Sequence, residues 1–203
     1  CNSGSINVLE WILHQQRFFS GACYQHAIMS GNSNVLDFLT ENKSKLRLDN
    51  HSFRDLFWFA VKQPNCMYIL KWLKKNNYTF TEYDFANAAS VGRVDILKWL
   101  KENNCPWNCD AFSNAASVGN LNILKWLKKN NCPWNCEAFT NAASVGNLNI
   151  LKWLKKNNCP WNCGVFTNSV KYGSIRLLKW LKENNCPYDD KQIFVAAVER
   201  GRI

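Results

Sequence analysis

The chain alternates between two kinds of short segment whose apolar residues have the spacing of an α-helix. In the first kind an aromatic residue is followed three positions later by a small residue, as in Phe112 and Ala115. The second kind is richer in aliphatic residues, and its Leu121, Leu124 and Leu127 share one helical face. We name these segments helix A and helix B. Their alternation predicts an all-α protein built from pairs of short helices.

The helix pairs recur with a period of 27 residues. The tripeptide Cys-Pro-Trp and its variant Cys-Pro-Tyr mark this period at Cys105, Cys132, Cys159 and Cys186. Segments 105–131 and 132–158 differ at only two positions, which indicates a recent duplication. One helix pair cannot bury both of its apolar faces, whereas stacked pairs share a continuous core. The pattern therefore predicts an α-solenoid of stacked helix-turn-helix repeats.

A glycine, or once an asparagine, stands between helix A and helix B in every unit. These residues are Gly4, Gly31, Asn65, Gly92, Gly119, Gly146, Gly173 and Gly201. Both residue types tolerate positive φ, so we expect a tight left-handed turn at each position. The step from Gly31 to Asn65 is longer than the period, and the surplus predicts an inserted loop near 41–50.

Aromatic residues recur at three places in each unit. Helix A carries Tyr24, Trp58, Phe85, Phe112, Phe139, Phe166 and Phe194, seven residues before the turn. Helix B carries Trp11, Phe38, Trp72, Trp99, Trp126, Trp153 and Trp180. The connection to the next unit carries Phe19, Phe53, Phe80, Trp107, Trp134, Trp161 and Tyr188. We interpret all three sets as core residues and not as a cofactor site.

The repeat pattern predicts a single array over residues 1–203. The chain begins just before a helix B and ends after a helix A, without the polar outer faces of capping units. We therefore expect it to be a fragment that further repeats or domains flank in a longer protein.

Composition sets the class and the compartment. Hydrophobic residues make up 47% of the chain and aromatic residues 14%, which is enough for a buried core. No apolar run approaches the ~20 residues that cross a bilayer, so membrane insertion is not expected. Ten cysteines are present. Most of them recur on the helix pairs, so we interpret them as reduced thiols of an intracellular protein in the cytoplasm, a host cytoplasm or a virion.

The net charge of +10 favours acidic partners, although the codon bias of an AT-rich genome would also produce the abundance of Lys and Asn. Lysines concentrate on helix B. The predicted lysine ridge comprises Lys98, Lys101, Lys125, Lys128, Lys129, Lys152, Lys155, Lys156, Lys179 and Lys182. Such a ridge either holds phosphates or is a solvated face that keeps an apolar helix soluble. Glu102 and Glu183 interrupt it, which favours the solvated face.

The segment from Asn114 to Leu127 resembles the ankyrin signature, in which two alanines and a glycine turn precede an aliphatic second helix. The period departs from the ~33 residues of ankyrin, Asp110-Ala111-Phe112-Ser113 replaces the family's Thr-Pro-Leu-His, and Asn120 replaces its histidine. The shorter repeat implies that the projecting hairpin finger is reduced to a short loop. Short ankyrin-like repeats with Cys-Pro-Trp loops occur in large DNA viruses, protists and algae, usually as recognition arrays and sometimes beside an F-box, which is not seen here.

The two residues before each turn glycine vary most among the divergent units, and the resemblance implies that they lie on a concave, partner-facing side. We take the candidate partner-binding residues to be Ser90, Val91, Ser117, Val118, Ser144, Val145, Lys171 and Tyr172.

Neither a metal site nor a catalytic site is predicted. Paired cysteines such as Cys105 and Cys109 suit zinc, but the second becomes Glu82 in a neighbouring unit and no histidine shares the register. We expect the first cysteine to be buried under the loop and the second to be sensitive to oxidation.

The helix A asparagines either satisfy backbone groups of the adjacent loop or contact a partner, and we favour the first. They are Asn87, Asn114, Asn141 and Asn168.

No phosphate loop, nucleophile elbow or zinc-protease motif is present, so we predict a binding protein without a cofactor and not an enzyme. The leading hypothesis is a protein-binding scaffold, of the kind with which a virus engages host proteins. Nucleic-acid or anionic-surface binding through the lysine ridge is the second hypothesis. A structural part of a virion or other large assembly is the third.

Overall fold

The computed structural model describes residues 3–14, 22–42, 56–172, 174–199 and 201. Fourteen α-helices and no β-strand occur in these ranges, which confirms the predicted all-α class. The chain divides into two compact units, Cys1–Thr79 and Phe80–Ile203. The predicted single array over 1–203 stays a prediction.

The first unit contains five of the helices. They are α1 (Ser3–His14), α2 (Ala22–Met29), α3 (Ser33–Glu41), α4 (Leu56–Ala60) and α5 (Cys66–Lys75). The Tyr24 hydroxyl on α2 donates to the Leu39 carbonyl at 3.0 Å, and Trp72 Nε1 on α5 donates to Thr40 Oγ1 at 2.9 Å. Burial raises the pKa of Tyr24 to about 12. Of the predicted insertion, Glu41 ends α3 and Asn42 caps it, and the rest lies outside the described residues.

The second unit contains four helix pairs and a final helix A. The A helices are α6 (Glu82–Val91), α8 (Asp110–Ser117), α10 (Cys136–Ser144), α12 (Cys163–Tyr172) and α14 (Asp190–Glu199). The B helices are α7 (Val94–Glu102), α9 (Leu121–Lys129), α11 (Leu148–Lys156) and α13 (Ile175–Glu183). Each of α6, α8, α10 and α12 packs on its own B helix and on the A helix that follows it. This unit is a solenoid of helix-turn-helix repeats, as the sequence predicts.

Small side chains allow the A helices to pack closely. Ala115 and Ala116 on α8 are fully buried, as is Phe112 one turn earlier. The B helices bury Ile123, Leu124 and their counterparts beneath the A helices, and their lysines face solvent. Truncating a buried phenylalanine such as Phe112 to alanine costs about 3–5 kcal/mol, so each ring contributes substantially to the stack.

The turn between helix A and helix B needs a residue with left-handed backbone conformation in most repeats. Gly31, Gly92, Gly119, Gly146 and Gly201 have φ between 60° and 87°, as predicted. Gly4 is an exception because it lies within α1, and Gly173 lies outside the described residues.

The repeat formed by α4 and α5 departs from the predicted register by one residue. The structure buries Phe57 and Ala60, whereas the predicted Trp58 is 36% exposed. Residues 61–65 form a longer turn there, so no left-handed residue is required. Asn65 accordingly has φ −90° and stands at the N-cap of α5, which corrects the prediction of positive φ at this position.

Paired asparagines end the B helices, a role that sequence analysis missed. The first of each pair donates its amide to the carbonyl of the helix B tryptophan four residues earlier, as Asn130 does to Trp126 at 2.8 Å. The second is left-handed, with φ between 56° and 62° at Asn77, Asn104, Asn131, Asn158 and Asn185. Asparagine is one of the few side chains that enter this region at low cost. The repeated Asn-Asn is therefore a helix stop signal.

Candidate interaction surfaces

The predicted partner-binding residues lie together at the C-terminal ends of consecutive A helices. Because α6, α8, α10 and α12 pack side by side, these ends form one row, which we call the A-helix row. Its members are Ser90, Val91, Ser117, Val118, Ser144, Val145, Lys171 and Tyr172. Two serines of the row form hydrogen bonds within their own helices. Ser117 Oγ donates to the Asn114 carbonyl at 2.8 Å, and Ser144 Oγ donates to the Asn141 carbonyl at 2.8 Å.

Apolar side chains of the row are open to solvent. Val118 is 50% exposed, Val145 is 41% exposed and Tyr172 is 46% exposed. The Tyr172 ring lies against the turn at Gly146, where an added Cβ would collide with it. Lys171 Nζ lies 3.6 Å from Glu199 Oε2 of the next A helix. The row thus offers a strip of separated apolar contacts with one ion pair at its end.

All ten lysines of the lysine ridge are exposed on the B helices of the second unit. None of the ten has a described carboxylate within 4.0 Å. Asp95 pairs instead with Arg93, which holds the pKa of that carboxyl below its usual range through a side-chain hydrogen bond. α9 and α11 carry three lysines each and no acidic residue, so they are the most basic part of the ridge.

Three lysines of the ridge also contact the loop tryptophans. Lys128 Nζ lies 3.8 Å from the centroid of the Trp134 ring, and Lys155 Nζ lies 3.8 Å from that of Trp161. Lys101 Nζ lies 5.3 Å from the Trp107 centroid and donates to Asn130 Oδ1 at 2.6 Å. The three lysine–tryptophan contacts join one helix B to the connection that follows it and contribute about 0.5–1 kcal/mol each at exposed sites. The ridge is therefore partly structural.

The predicted aromatic sets meet through the loop tryptophan. Trp134 lies 5.0 Å from the Phe112 ring of the preceding helix A and 6.3 Å from the Trp153 ring of the following helix B. The equivalent contacts recur around Trp107 and Trp161. Four of the predicted core aromatics are exposed instead: Trp11 by 62%, Trp58 by 36%, Tyr188 by 50% and Phe194 by 64%. Phe19 and Phe53 lie outside the described residues.

The two cysteines of each loop have different environments, as predicted. Cys132 is 5% exposed, and its thiol donates to the Asn108 carbonyl of the preceding loop at 3.5 Å. Burial raises the pKa of Cys105, Cys132 and Cys159 to about 12. Cys109 and Cys136 are half-buried and accept from the amides of Asn135 and Asn162 at 3.3 and 3.2 Å. The first cysteine of each loop therefore links successive connections.

Two of the four helix A asparagines, Asn114 and Asn141, have a structural role, but not the expected one. Asn114 Nδ2 donates to the Ala86 carbonyl at 3.1 Å, and Asn141 Nδ2 donates to the Ser113 carbonyl at 3.1 Å. Both acceptors lie on the preceding helix A and not in the adjacent loop. Asn120 makes a second link between repeats, since it caps α9 and donates to the Gly92 carbonyl at 3.4 Å.

In the described ranges, no three or more His, Cys, Asp and Glu side chains are grouped so that they could hold a metal ion. Within the described ranges, every helix is too short or too polar to span a bilayer.

Comparison with known proteins relates the chain to helical repeat proteins. No protein-family model matches it, and no curated protein is significantly similar to it in sequence. Two similar solved structures are the pentatricopeptide repeat protein PPR10 in complex with an 18-nt psaJ RNA element and a variant of it with three cysteines replaced by serine. Each has a TM-score of 0.50 and 14% sequence identity, and the match covers 88% of this chain and 31% of that one. This chain thus spans about a third of the length of the structures that it matches, and the likeness defines its fold as a helical repeat solenoid.

Proposed function

We propose that this protein is a recognition scaffold without catalytic activity and that the A-helix row binds a protein partner. The observation that carries the proposal is the exposure of Val118, Val145 and Tyr172 along one continuous line of helix ends. Packing does not dictate Val118 and Val145, so these positions are free to vary with the partner. The buried alanine pairs, left-handed glycine turns and strand-free connections also support our proposal that the units are a short form of ankyrin-like repeat.

The test is an affinity pull-down from cell lysate at about 150 mM salt, with and without nuclease, read by mass spectrometry. The wild type is compared with the double variant Val118→Arg and Val145→Arg. The matched control is Asn122→Arg with Asn149→Arg, which adds the same two charges at exposed helix B positions with the same spacing. We expect a discrete protein that survives nuclease and is lost only from the row variant. Equal recovery by both variants would contradict the proposal.

The second candidate function is binding of nucleic acid or another anionic surface through the lysine ridge. The exposed lysines of α9 and α11, which no described carboxylate pairs, favour it, and the similar PPR10 structures contain RNA. For binding of this kind, the logarithm of the association constant should fall linearly as the logarithm of the salt concentration rises. Anisotropy of a labelled single-stranded RNA, measured from low to moderate salt, gives that slope. A slope near zero would exclude the ridge, whereas loss of the pull-down on nuclease treatment would favour it.

A structural role in a virion or other large assembly is the third alternative. A fixed stoichiometry of the protein in purified particles would support it.

A further inference from the structure

A groove of about 430 Å³ lies between α11 and α13, on B helices and separate from the A-helix row. Lys152 from α11 and Arg176 and Lys179 from α13 line it. All three are exposed, and no described carboxylate lies within 4.0 Å of their cationic nitrogens. The volume falls within the roughly 300–1,000 Å³ of clefts that hold small ligands. The groove thus concentrates positive charge in a concave place.

The remainder of the groove is mostly apolar. Ile175, at the first position of α13, is 68% exposed, and Leu148 and Trp180 are half-buried beside it. Glu183 is the one acidic residue in the lining. A ligand that matches this surface needs negative charge, an aliphatic group and a donor for a carboxylate.

We propose that this groove binds an acidic peptide segment that places an aliphatic side chain against Ile175 and Leu148. Aspartate and glutamate side chains of the ligand pair with Lys152, Arg176 and Lys179, and a ligand backbone N–H donates to Glu183. Arginine gives the paired, directional hydrogen bonds to a carboxylate that lysine does not. A phosphodiester strand fits less well, because it has no backbone N–H to donate to Glu183 and no aliphatic side chain to cover Ile175. The surface is distinct from the A-helix row, so the two proposals can fail separately.

The chain itself supplies substitutions that the fold accepts. Arg176 takes the place of Asn122 and Asn149 in the two preceding units, and Glu183 takes the place of Lys129 and Lys156. Arg176→Asn and Glu183→Lys therefore restore residues that the same helix carries elsewhere. Lys129→Gln is the control, because it also removes one exposed charge but lies outside the groove.

The experiment measures anisotropy of a short fluorescein-labelled peptide of Asp and Glu around one central Leu, at about 150 mM salt. We expect Arg176→Asn to weaken binding about tenfold, since it removes a charge-assisted pair. Glu183→Lys should change affinity by at least severalfold, because it removes the carboxylate that the ligand N–H contacts and adds a cation. Lys129→Gln should stay within about twofold of the wild type. Replacing the central Leu of the peptide by Gln should weaken binding about tenfold.

Several outcomes would overturn the proposal. Equal losses in Arg176→Asn and Lys129→Gln would show diffuse charge attraction and no defined site. An unchanged affinity for the Gln peptide would show that the proposed apolar contact does not contribute to binding. Tighter binding of a single-stranded RNA of equal net charge, lost in Arg176→Asn, would assign the groove to nucleic acid instead. In all of these cases the pull-down with the Val118→Arg and Val145→Arg variant still tests the proposed function, since none of these groove residues belongs to the A-helix row.

Discussion

At the scale of single residues, the repeat places chemically identical side chains in different environments. Cys132 is buried and donates to a backbone carbonyl, whereas Cys136 is half-buried at the start of α10. The thiolate is the reactive form of cysteine, so burial that raises the pKa of a thiol also suppresses its chemistry. The first and second cysteines of each loop, which we call the two columns of cysteine, should therefore differ in reactivity although they lie four residues apart.

We expect alkylation at pH 8 to separate these columns. With a pKa of about 12, the buried thiols Cys105, Cys132 and Cys159 carry about one thiolate in ten thousand at this pH. Cys109, Cys136 and Cys163 should therefore be labelled by iodoacetamide first, as followed by peptide mass spectrometry. In guanidinium chloride all six should react at similar rates. Equal rates in the native protein would contradict the assigned environments.

The left-handed asparagine at the end of helix B gives a second prediction at this scale. Asn131 has φ 59°, a conformation that a β-branched side chain adopts only under strain. Asn131→Val should lower the free energy of unfolding by about 1–2 kcal/mol, whereas Asn131→Gly should change it by less than about 1 kcal/mol. Urea denaturation followed by circular dichroism measures both. A valine variant as stable as the glycine variant would show that the backbone at this position relaxes freely.

At the scale of the elements, each unit depends on a tight turn that joins helix A to helix B. Gly119 has φ 77°, and an added Cβ would lie 3.0 Å from Nδ2 of Asn147 in the next unit. The turn therefore sets the direction of helix B and brings it near the cap of its neighbour. Where the turn is longer, as between α4 and α5, the asparagine at this place adopts ordinary negative φ.

Two glycine substitutions should have opposite effects on stability. Gly119→Ala forces a side chain into the left-handed region and should cost about 1–2 kcal/mol. Gly164→Ala lies in the first turn of α12, where the preceding unit carries Glu137, and should stabilise the protein by up to about 1 kcal/mol. Paired thermal and urea unfolding curves test both signs. Destabilisation by Gly164→Ala would mean that the nearby Asn162 side chain cannot move aside.

At the scale of the molecule, the bonds between repeats follow the 27-residue period. The Cys159 thiol donates to the Asn135 carbonyl just as Cys132 donates to Asn108. Asn114 and Asn141 likewise each bond to the preceding helix A. Each repeat thus interacts with its neighbours through the same set of groups, which is the condition for stability that adds up unit by unit.

Deleting residues 132–158 should therefore give a folded protein with one repeat fewer. Cys159 would then meet the Asn108 carbonyl, and the urea m value should fall because less surface is exposed on unfolding. A deletion one residue shorter, of 133–158, serves as the control because it breaks the register. We expect circular dichroism to show full helicity per residue for the first deletion and a loss for the second. Failure of the first to fold would show that the units are not equivalent.

The sequence alone determined the helix pairs, their period, the glycine turns and the buried phenylalanines of α6, α8, α10 and α12. Each of these depends on residues within one repeat, and repetition makes the pattern visible. Only the tertiary structure decided which groups join one repeat to the next, such as Lys128 with Trp134 and Asn114 with Ala86. It also moved the buried ring from Trp58 to Phe57, because a longer turn shifts the register of α4. Contacts between repeats and turn length depend on how helices approach one another in space, which spacing along a chain does not specify.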